Sequence, residues 1–436
     1  MTSDDLAVGL VACGLNPAER AAKRALFDLV LEALGNRTGR RQPGECVSWV
    51  PGRLEVFGKH TDYAGGRSLV CAVPRGMAFA VRPRAGAVHV VDARRQQSVT
   101  LEHWDPGGEL PMYQHTGWRH YVEVVVRRLA RNFPDAPLSA DVAFASDLPR
   151  AAGMSSSSAL VVGLAAALVR VARIDRRPEW QANIGNRLDA AGYYACLENG
   201  MSFGTLDGDA GVGTHGGSED HAAIVAGQAE HLRAFAFVPM RPLGTVRVPG
   251  EWRFVLAPSG VPSEKTGAAQ DLYNRLAHGV ERIVELWNRA ESPSASLGAV
   301  LESSGSASRL RDLVRRSAIP GWPPEALEKR LDHFIREDSR VVEAIEAFRV
   351  PDAVRLSSLA EQSQADAETL LGNQVPATMA LARSARAHGA LAASSFGAGF
   401  GGSVWALVER DAAEDFAARW HPGAFVADPG PPLVEL

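Results

Sequence analysis

The stretch Leu148-Pro-Arg-Ala-Ala-Gly-Met-Ser-Ser-Ser-Ser-Ala159 places four serines behind a glycine, at the start of a long apolar run. That run, residues 159–174, contains almost no residue that breaks a helix, so we expect a helix to begin at the serines. The first N–H groups of a helix lack intrahelical partners and carry partial positive charge, which together form an anion site. The serines therefore predict either a phosphate-binding loop or simple caps of a buried helix.

Composition limits the classes of protein that the chain can belong to. Its 436 residues are 46% hydrophobic, enough for a large core, and we expect two lobes, residues 1–230 and residues 231–436. A net charge of −4 argues against a general nucleic-acid surface. Short basic clusters such as Arg94 with Arg95 are expected to be solvated ends of strands.

Nothing in the sequence indicates secretion or a membrane anchor. Residues 1–16 carry acidic residues before a short apolar run, which is unlike a secretory signal, and the longest apolar run is too short for a membrane span. The cysteines lack the paired spacing of a disulfide framework or a zinc site. We therefore expect a cytoplasmic protein, monomeric or homodimeric, without membrane or nucleic-acid partners.

Local patterns predict a mixture of helices and strands. An amphipathic helix is expected over residues 19–34, and a further helix over residues 180–199. Residues 200–217 contain so many glycines that we expect a loop with special backbone angles. Strands are expected over residues 47–50, 69–73, 77–81, 88–91, 138–144, 253–256 and 405–408.

A first polar motif is Pro51-Gly-Arg-Leu-Glu-Val-Phe-Gly-Lys-His-Thr-Asp-Tyr-Ala-Gly-Gly66. Its cluster of Lys59, His60, Thr61 and Asp62 suits recognition of a small polyhydroxylated or charged ligand. A plain turn with a surface ion pair is the alternative. The motif is not the standard phosphate loop, because His60 stands where that loop requires Ser or Thr.

A second motif, Gly213-Thr-His-Gly-Gly-Ser-Glu-Asp-His221, delivers two carboxylates after a glycine run. A carboxylate placed there can accept a proton from a hydroxyl nucleophile. Metal ligation by His215 and His221 is less favoured, because no His-x-x-x-His spacing on a helix supports it. Taken alone, the segment is equally compatible with a capped loop.

A third motif is Ser394-Ser-Phe-Gly-Ala-Gly-Phe-Gly-Gly-Ser-Val-Trp-Ala-Leu-Val408. Three of its glycines match the dinucleotide-binding fingerprint, but that fingerprint opens a helix. A strand-like segment follows here instead. The glycines therefore predict a loop that closely approaches a ligand or another backbone.

Together and in this order, the three motifs resemble those of the galactokinase, homoserine kinase, mevalonate kinase and phosphomevalonate kinase (GHMP) superfamily, and of galactokinases in particular. The superfamily's Pro-Gly-Arg-x-Asn-x-Ile-Gly-Glu-His-Thr-Asp-Tyr is matched at most positions by residues 51–63. Its serine loop is matched by residues 153–159, and its Gly-Ala-Gly-Phe-Gly-Gly by residues 397–402. The resemblance extends over residues 45–410 and implies a two-lobed α+β fold with the active site in the cleft between the lobes.

The resemblance also implies an ATP- and Mg²⁺-dependent sugar kinase that phosphorylates a hydroxyl, expected to be the anomeric one, of galactose or a similar sugar. Asp220 aligns with the catalytic aspartate of the superfamily, and Arg53 with the arginine that accompanies it. The residues implied to bind nucleotide phosphates are Gly153, Ser155, Ser156, Ser157 and Ser158. Those implied to bind the sugar are Lys59, His60, Asp62, Gly217 and Tyr273. The implied Mg²⁺ ligands are Ser157 and Glu198, and the implied glycine-rich motif comprises Gly397, Gly399, Gly401 and Gly402.

Two departures from the galactokinase pattern bear on the substrate. Lys59 replaces a glutamate, and Gly216-Gly-Ser-Glu-Asp-His221 replaces Cys-Gly-Ile-Met-Asp-Gln. A lysine in the pocket would favour a sugar with an anionic end, such as a uronate. Alternatively, Lys59 points away or pairs with Glu55 or Glu219, and the sugar is neutral.

Two rival functions belong to other classes. A non-catalytic regulator that binds sugar and ATP would use the same fold, but the retained Arg53 and Asp220 argue against the loss of catalysis. A Ser-His-Asp hydrolase is disfavoured, because the chain lacks the Gly-x-Ser-x-Gly turn around Ser157.

Overall fold

The computed structural model describes residues 1–36, 44–102, 115–263 and 268–436, and it shows an α+β protein with two β-sheets. The strands are β1 Cys46–Phe57, β2 Arg67–Pro83, β3 Ala87–Asp92, β4 Gln97–Glu102, β5 Ala140–Ser146, β6 His231–Ala236, β7 Arg241–Arg247, β8 Trp252–Pro258, β9 Ala392–Phe396, β10 Ser403–Glu409, β11 Phe425–Val426 and β12 Val434–Glu435. The helices are α1 Ser3–Ala12, α2 Arg20–Ala33, α3 Trp118–Asn132, α4 Ser156–Val171, α5 Pro178–Asn183, α6 Arg187–Asn199, α7 Glu219–Ala226, α8 Ala268–Ala290, α9 Leu297–Leu301, α10 Ser306–Arg315, α11 Pro324–Arg349, α12 Ala353–Asp366, α13 Pro376–Ala387 and α14 Ala413–Trp420.

The larger sheet has eight strands, in the order β12-β1-β2-β5-β3-β4, with β6 and β7 added beside β2. All of its neighbours pair antiparallel except β3 with β5. Strand β2 is long enough to change partners, since its first residues pair with β6 and its last with β5. At the bend, Gly76 is required because an added Cβ would lie 2.3 Å from the carbonyl oxygen of Val50.

Successive side chains of β2 point to opposite faces of the sheet, and both faces are buried. Phe79 and Val81 pack in the core that also contains α3, α4 and α6 residues, whereas Ala78 and Ala80 face α1 and α2. Small residues on the second face let those helices lie close. Helix α4 also comes close on the first face, because Gly163 leaves room for the ring of Phe79.

The smaller sheet has the order β11-β8-β10-β9 and is fully antiparallel. One of its faces shares a core with β1 and β2, where the rings of Phe57 and Trp405 lie 6.0 Å apart at 70°. The opposite face packs on α13 and α14. The shared core fixes the two sheets to each other, and with them the loops that end near their junction.

Strands β6 and β7 belong to the larger sheet, although the sequence suggested that a second half starts at residue 231. The smaller sheet begins at Trp252, and β12 returns to the larger sheet beside β1. The change of sheet therefore falls after β7. Division of the chain into two lobes remains a prediction.

Most predicted elements are confirmed, with two corrections. The helix expected over residues 180–199 is two helices, because Asn186 accepts hydrogen bonds from the N–H groups of Leu188 and Asp189 and starts α6 anew. The strands expected over residues 69–73 and 77–81 form one continuous strand, β2, and β1 extends beyond residues 47–50 into the first motif as far as Phe57. Within the described residues, no helix is both long and apolar enough to cross a membrane.

Candidate active site

The centre of the site is an ion pair between two motifs that are far apart in the chain. Arg53 Nε lies 2.7 Å from Asp220 Oδ1 and 3.3 Å from Glu219 Oε1, and all three side chains are buried. The other end of the guanidinium donates from Nη1 to the carbonyl of Gly153, 2.7 Å away. Arg53 therefore joins β1, the serine loop and the start of α7.

Helix α7 begins where the glycine-rich loop ends, so its two carboxylates lie in the first turn. Negative side chains are stabilised there by the partial positive charge of the helix terminus. The backbone N–H of Glu219 donates to Asp62 Oδ2 at 3.1 Å. Gly217 permits this approach, because an added Cβ would lie 2.2 Å from the same carboxylate oxygen. Asp62 and Gly217 thus adjoin the start of α7, which carries Asp220.

Two cavities meet at this pair. The larger has a volume of about 540 Å³ and is bordered by the serine loop, the turn between β3 and β4, and the start of α3. The smaller has a volume of about 30 Å³ and is bordered by the first motif, the loop before α7, and α8. The residues common to both linings are Arg53, Asp220 and Ala398.

The serine loop lies on the larger cavity, as predicted, but not all of its serines do. Gly153, Ser155, Ser156 and Ser157 line the cavity, and Ser155 adopts a left-handed conformation immediately before α4. Ser158 is instead fully buried, and its hydroxyl oxygen lies 2.8 Å from Glu198 Oε2 and 3.2 Å from Asp220 Oδ2. The structure therefore places Ser158 behind the aspartate, away from the larger cavity, because one residue further along a helix is a rotation of about 100°.

Glu198, at the end of α6, borders the smaller cavity and is linked to Asp220 through Ser158. His221 Nε2 lies 3.2 Å from the same Glu198 oxygen. The serine hydroxyls and the Glu198 carboxylate are oxygen donors, the type that a hard ion such as Mg²⁺ prefers. The oxygen donors near the Arg53–Asp220 pair are thus of the type expected for Mg²⁺.

Lys59 does not reach either cavity. Its ammonium donates to the hydroxyls of Ser363, 2.6 Å away, and Ser394, 3.0 Å away, and its side chain is buried. Ser363 in turn donates to Glu337, which also accepts from the N–H of Gly58. The sugar-binding role expected of Lys59 is therefore wrong for its side chain. The sequence left open whether Lys59 points into the pocket or away from it, and the structure places its side chain in the core.

The other residues predicted to bind sugar do border the smaller cavity. His60 contacts Tyr63 Oη through Nδ1 at 2.9 Å and the carbonyl oxygen of Ala398 through Nε2 at 3.0 Å. The ring of Tyr273, from α8, lies 5.4 Å from the His60 ring. The first motif, α8 and the third motif are thereby held together at one wall.

The glycine-rich motif supports the site by close packing. Gly397 borders the smaller cavity, and an added Cβ would lie 2.9 Å from the carbonyl oxygen of Gly153. Gly399 has φ of +78° and would bring a Cβ within 2.5 Å of the backbone oxygen of Asn373. At Gly401 an added Cβ would lie 2.6 Å from the carbonyl oxygen of Val261, and the N–H of Gly402 donates to the same carbonyl. This is the close-approach loop that the sequence predicted.

Glu55 and Glu219 form a buried acidic pair beside Arg53. Burial raises the pKa of Glu55 to about 7, against the lowering effect of Arg53 and Lys59. Burial, together with the neighbouring Glu55, also raises the pKa of Glu219. Burial alone lowers the pKa of Arg53, but Asp220 and Glu219 outweigh it and the pKa lies above its usual value. The arginine therefore stays charged while the glutamate pair can hold a proton.

Several cavity residues were not identified from the sequence. Arg94 and Arg95 are exposed, as expected of strand ends, but they lie on the rim of the larger cavity. Trp118 and Phe144 form an aromatic corner of the same cavity, with rings 5.3 Å apart. The parallel pairing of β3 with β5 brings the turn after β3 close to Phe144, and such a pairing of distant segments leaves no local signal in the sequence.

Comparison with known proteins agrees with this architecture. Residues 35–83 match the galactokinase galactose-binding signature, residues 120–198 match the N-terminal domain of GHMP kinases, and residues 344–426 match their C-terminal domain. A galactokinase of Chloroflexus aggregans is 27% identical over 391 residues, 88% of each chain. A galactokinase of Glaesserella parasuis is 25% identical over 374 residues, 84% of this chain and 86% of the other.

Solved structures show the same fold. The galactokinase of Lactococcus lactis, crystallised with galactose, superposes with a TM-score of 0.75 over 93% of this chain and 98% of the other, at 21% identity. The mevalonate kinase of Methanococcus jannaschii superposes with a TM-score of 0.54 over 89% and 99%, at 12% identity. Fold and sequence together define a small-molecule phosphotransferase. The matching family models and relatives support a sugar kinase of the GHMP superfamily, similar to the galactokinases.

Proposed function

We propose that this protein transfers the γ-phosphoryl group of ATP to the anomeric hydroxyl of galactose or a closely similar neutral sugar. One observation carries the proposal: a charged arginine and a carboxylate lie where a large cavity and a small cavity meet. A phosphoryl donor in one cavity and a hydroxyl acceptor in the other would face each other across Arg53 and Asp220. Phosphoryl transfer depends chiefly on such positioning and on electrostatic stabilisation.

The larger cavity suits the nucleotide. The start of α4 offers backbone N–H groups and serine hydroxyls to the phosphates, and the aromatic corner of Trp118 and Phe144 offers an apolar surface for the base. Arg94 and Arg95 add positive charge at the rim. Mg²⁺ would be held by Ser157 and Glu198 and would neutralise charge on the phosphates.

Asp220 is the proposed general base. It accepts the proton of the sugar hydroxyl as the hydroxyl oxygen forms a bond to the γ-phosphorus, and the bond from that phosphorus to the bridging oxygen breaks to release ADP. Arg53 stabilises the negative charge of Asp220 and of the transferred group. Transfer is direct, without a covalent enzyme intermediate.

The charge of the smaller cavity favours a neutral sugar over a uronate. Arg53 is the one lysine or arginine among the described residues of its lining, and it already contacts two carboxylates. An anionic sugar would therefore meet net negative charge in a buried setting, where repulsion is strong. The carboxylates that line the cavity are Glu55, Asp62, Glu198, Glu219 and Asp220.

The test is ADP release from Mg-ATP with galactose, other neutral aldoses, galacturonate, glucuronate and sugar phosphates. We expect turnover with galactose or a neutral relative, and little with the uronates. Preferential turnover of a uronate would contradict the neutral substrate but leave the kinase chemistry intact. Saturable binding of both ATP and a sugar, without ADP release, would instead support a regulator of the same fold.

A further inference from the structure

The loop that precedes α7 is fastened to one face of α8. Gln270 Nε2 and Asn274 Nδ2 both donate to the carbonyl oxygen of Gly213, at 2.6 and 3.0 Å. Asn274 Oδ1 accepts from the backbone N–H of His215 at 2.9 Å. Successive turns of one helix face thus hold the loop in place.

The next turns of that helix face carry two metal-ligating side chains. His278 follows Asn274 by four residues, and Glu281 follows His278 by three, so all three lie along one side of the helix. The His215 ring stands against the His278 ring, with centroids 4.8 Å apart and planes at 85°. One ligand atom from each of His215, His278 and Glu281 lies within 4.8 Å of the others.

We propose that His215, His278 and Glu281 bind a divalent transition-metal ion, for which Zn²⁺ is the representative. Two imidazoles and one carboxylate form a three-ligand set that Zn²⁺ accepts, with water as the fourth ligand. Imidazole ligands favour Zn²⁺ or Ni²⁺ over Mg²⁺ and Ca²⁺, which prefer oxygen. Ligands of a tetrahedral zinc ion are about 3.4 Å apart, so the side chains need to approach by roughly another 1.4 Å. His215 and Glu281 are exposed and free to turn by that amount.

The position of this site makes it relevant to substrate access. Thr214, Gly216 and Gly217 of the same loop border the smaller cavity, as does Tyr273 of α8. At about 30 Å³ that cavity has room for very few water molecules, which is less than a sugar needs. An ion bound to His215 and to the two α8 side chains at the same time would hold this loop, and with it the rim of the smaller cavity, to α8. The site itself is independent of which sugar the protein phosphorylates.

The test is calorimetric titration of the untagged full-length protein with ZnCl₂, repeated with MgCl₂ and CaCl₂, alongside thermal unfolding with and without Zn²⁺. We expect saturable Zn²⁺ binding, an increase in unfolding temperature, and no comparable response to Mg²⁺ or Ca²⁺. His278→Ala and His215→Ala should each weaken Zn²⁺ binding by at least about tenfold, and Glu281→Gln should weaken it less.

His388→Ala is the matched control, because His388 is exposed at the end of α13 and lies outside the cluster. It should bind Zn²⁺ as the unmodified protein does. The two histidine variants come from different segments, so a folding defect in one leaves the other informative. Absence of binding in the unmodified protein, or equal affinity in both histidine variants and the control, would overturn the proposal.

Discussion

The ammonium of Lys59 lies 3.0 Å from the hydroxyl of Ser394, which joins the turn after β1 to strand β9 of the other sheet. The same ammonium contacts Ser363, whose hydroxyl donates to Glu337. Burial lowers the pKa of Lys59, and the carboxylates of Glu337 and Glu55 oppose that effect. Lys59 therefore belongs to a buried polar network that links the two sheets behind the sugar wall.

We predict that Lys59→Glu destabilises the fold and does not redirect sugar selectivity. A second carboxylate next to Glu337 would replace a favourable buried contact by repulsion, at a cost of about 3–5 kcal/mol in the free energy of unfolding. Lys59→Met, which removes the charge, should cost less. Denaturant unfolding measures both effects, and the ratio of kcat/KM for galactose and galacturonate tests selectivity.

Lys329→Glu is the control for the lysine substitutions, because Lys329 is exposed on α11. It should leave unfolding nearly unchanged. If Lys59→Glu unfolds like the control but gains preference for galactose over galacturonate, Lys59 reaches the substrate and its placement in the core is incorrect.

Asp220→Asn should reduce kcat by about 10²–10⁴-fold, the range for loss of a general base. The amide keeps the size of the side chain but cannot take up the proton of the hydroxyl. ATP binding should persist, because the serine loop is unaltered. Steady-state ADP release and equilibrium nucleotide binding separate these two effects.

Asp411→Asn serves as the matched control, because Asp411 is exposed in the short helical turn after β10. It should retain the turnover of the unmodified enzyme. Near-normal turnover in Asp220→Asn would mean that another group accepts the proton.

Glu55→Gln should change how stability depends on pH. Because burial raises the pKa of Glu55 from 4.5 to about 7, the folded state holds this proton more tightly than the unfolded state. Its stabilising contribution is complete below pH 4.5 and is lost as the pH rises through 7. The variant has no titrating group at this position. Its free energy of unfolding relative to the unmodified protein should therefore increase between pH 5 and pH 8.

Denaturant unfolding at intervals across that pH range measures the difference. Glu251→Gln, at an exposed position before β8, is the control and should show a constant difference. A constant difference for Glu55→Gln as well would show that Glu55 titrates normally and does not share a proton with Glu219.

Gly399→Ala should destabilise the protein more than Gly321→Ala. Both glycines have nearly the same positive φ, +78° and +76°, so the backbone strain of alanine, about 1–2 kcal/mol, is common to both. Only at Gly399 would the new Cβ meet Asn373, at 2.3–2.6 Å, whereas at Gly321 nothing lies within 4 Å. Asn373 also contacts His60, so the first variant should impair sugar binding as well.

Unfolding free energies and the KM for the sugar test this pair of variants. Equal destabilisation by the two substitutions would show that the glycine is required only for its backbone angle and not for the close approach to Asn373.

Much of the fold and part of the site could be predicted from the sequence. Apolar periodicity indicated α2, and the apolar run after the serines, which contains almost no helix breaker, indicated α4 and its start. The order of the three motifs indicated the superfamily, the α+β class and the approach of Arg53 to Asp220. The break between α5 and α6 was missed, because Asn186 within an otherwise helical pattern gave only a weak local signal.

What the sequence by itself determined is which residue types are available and which local structures they favour. It could not determine where side chains point: Lys59 lies in the core, and Ser158, one residue of helix rotation beyond Ser157, contacts Asp220 from the buried side. It also could not bring Glu55 to Glu219, or His215 to His278 and Glu281. Those contacts join segments distant in the chain, so only tertiary packing decides their distances, their burial and therefore their charge.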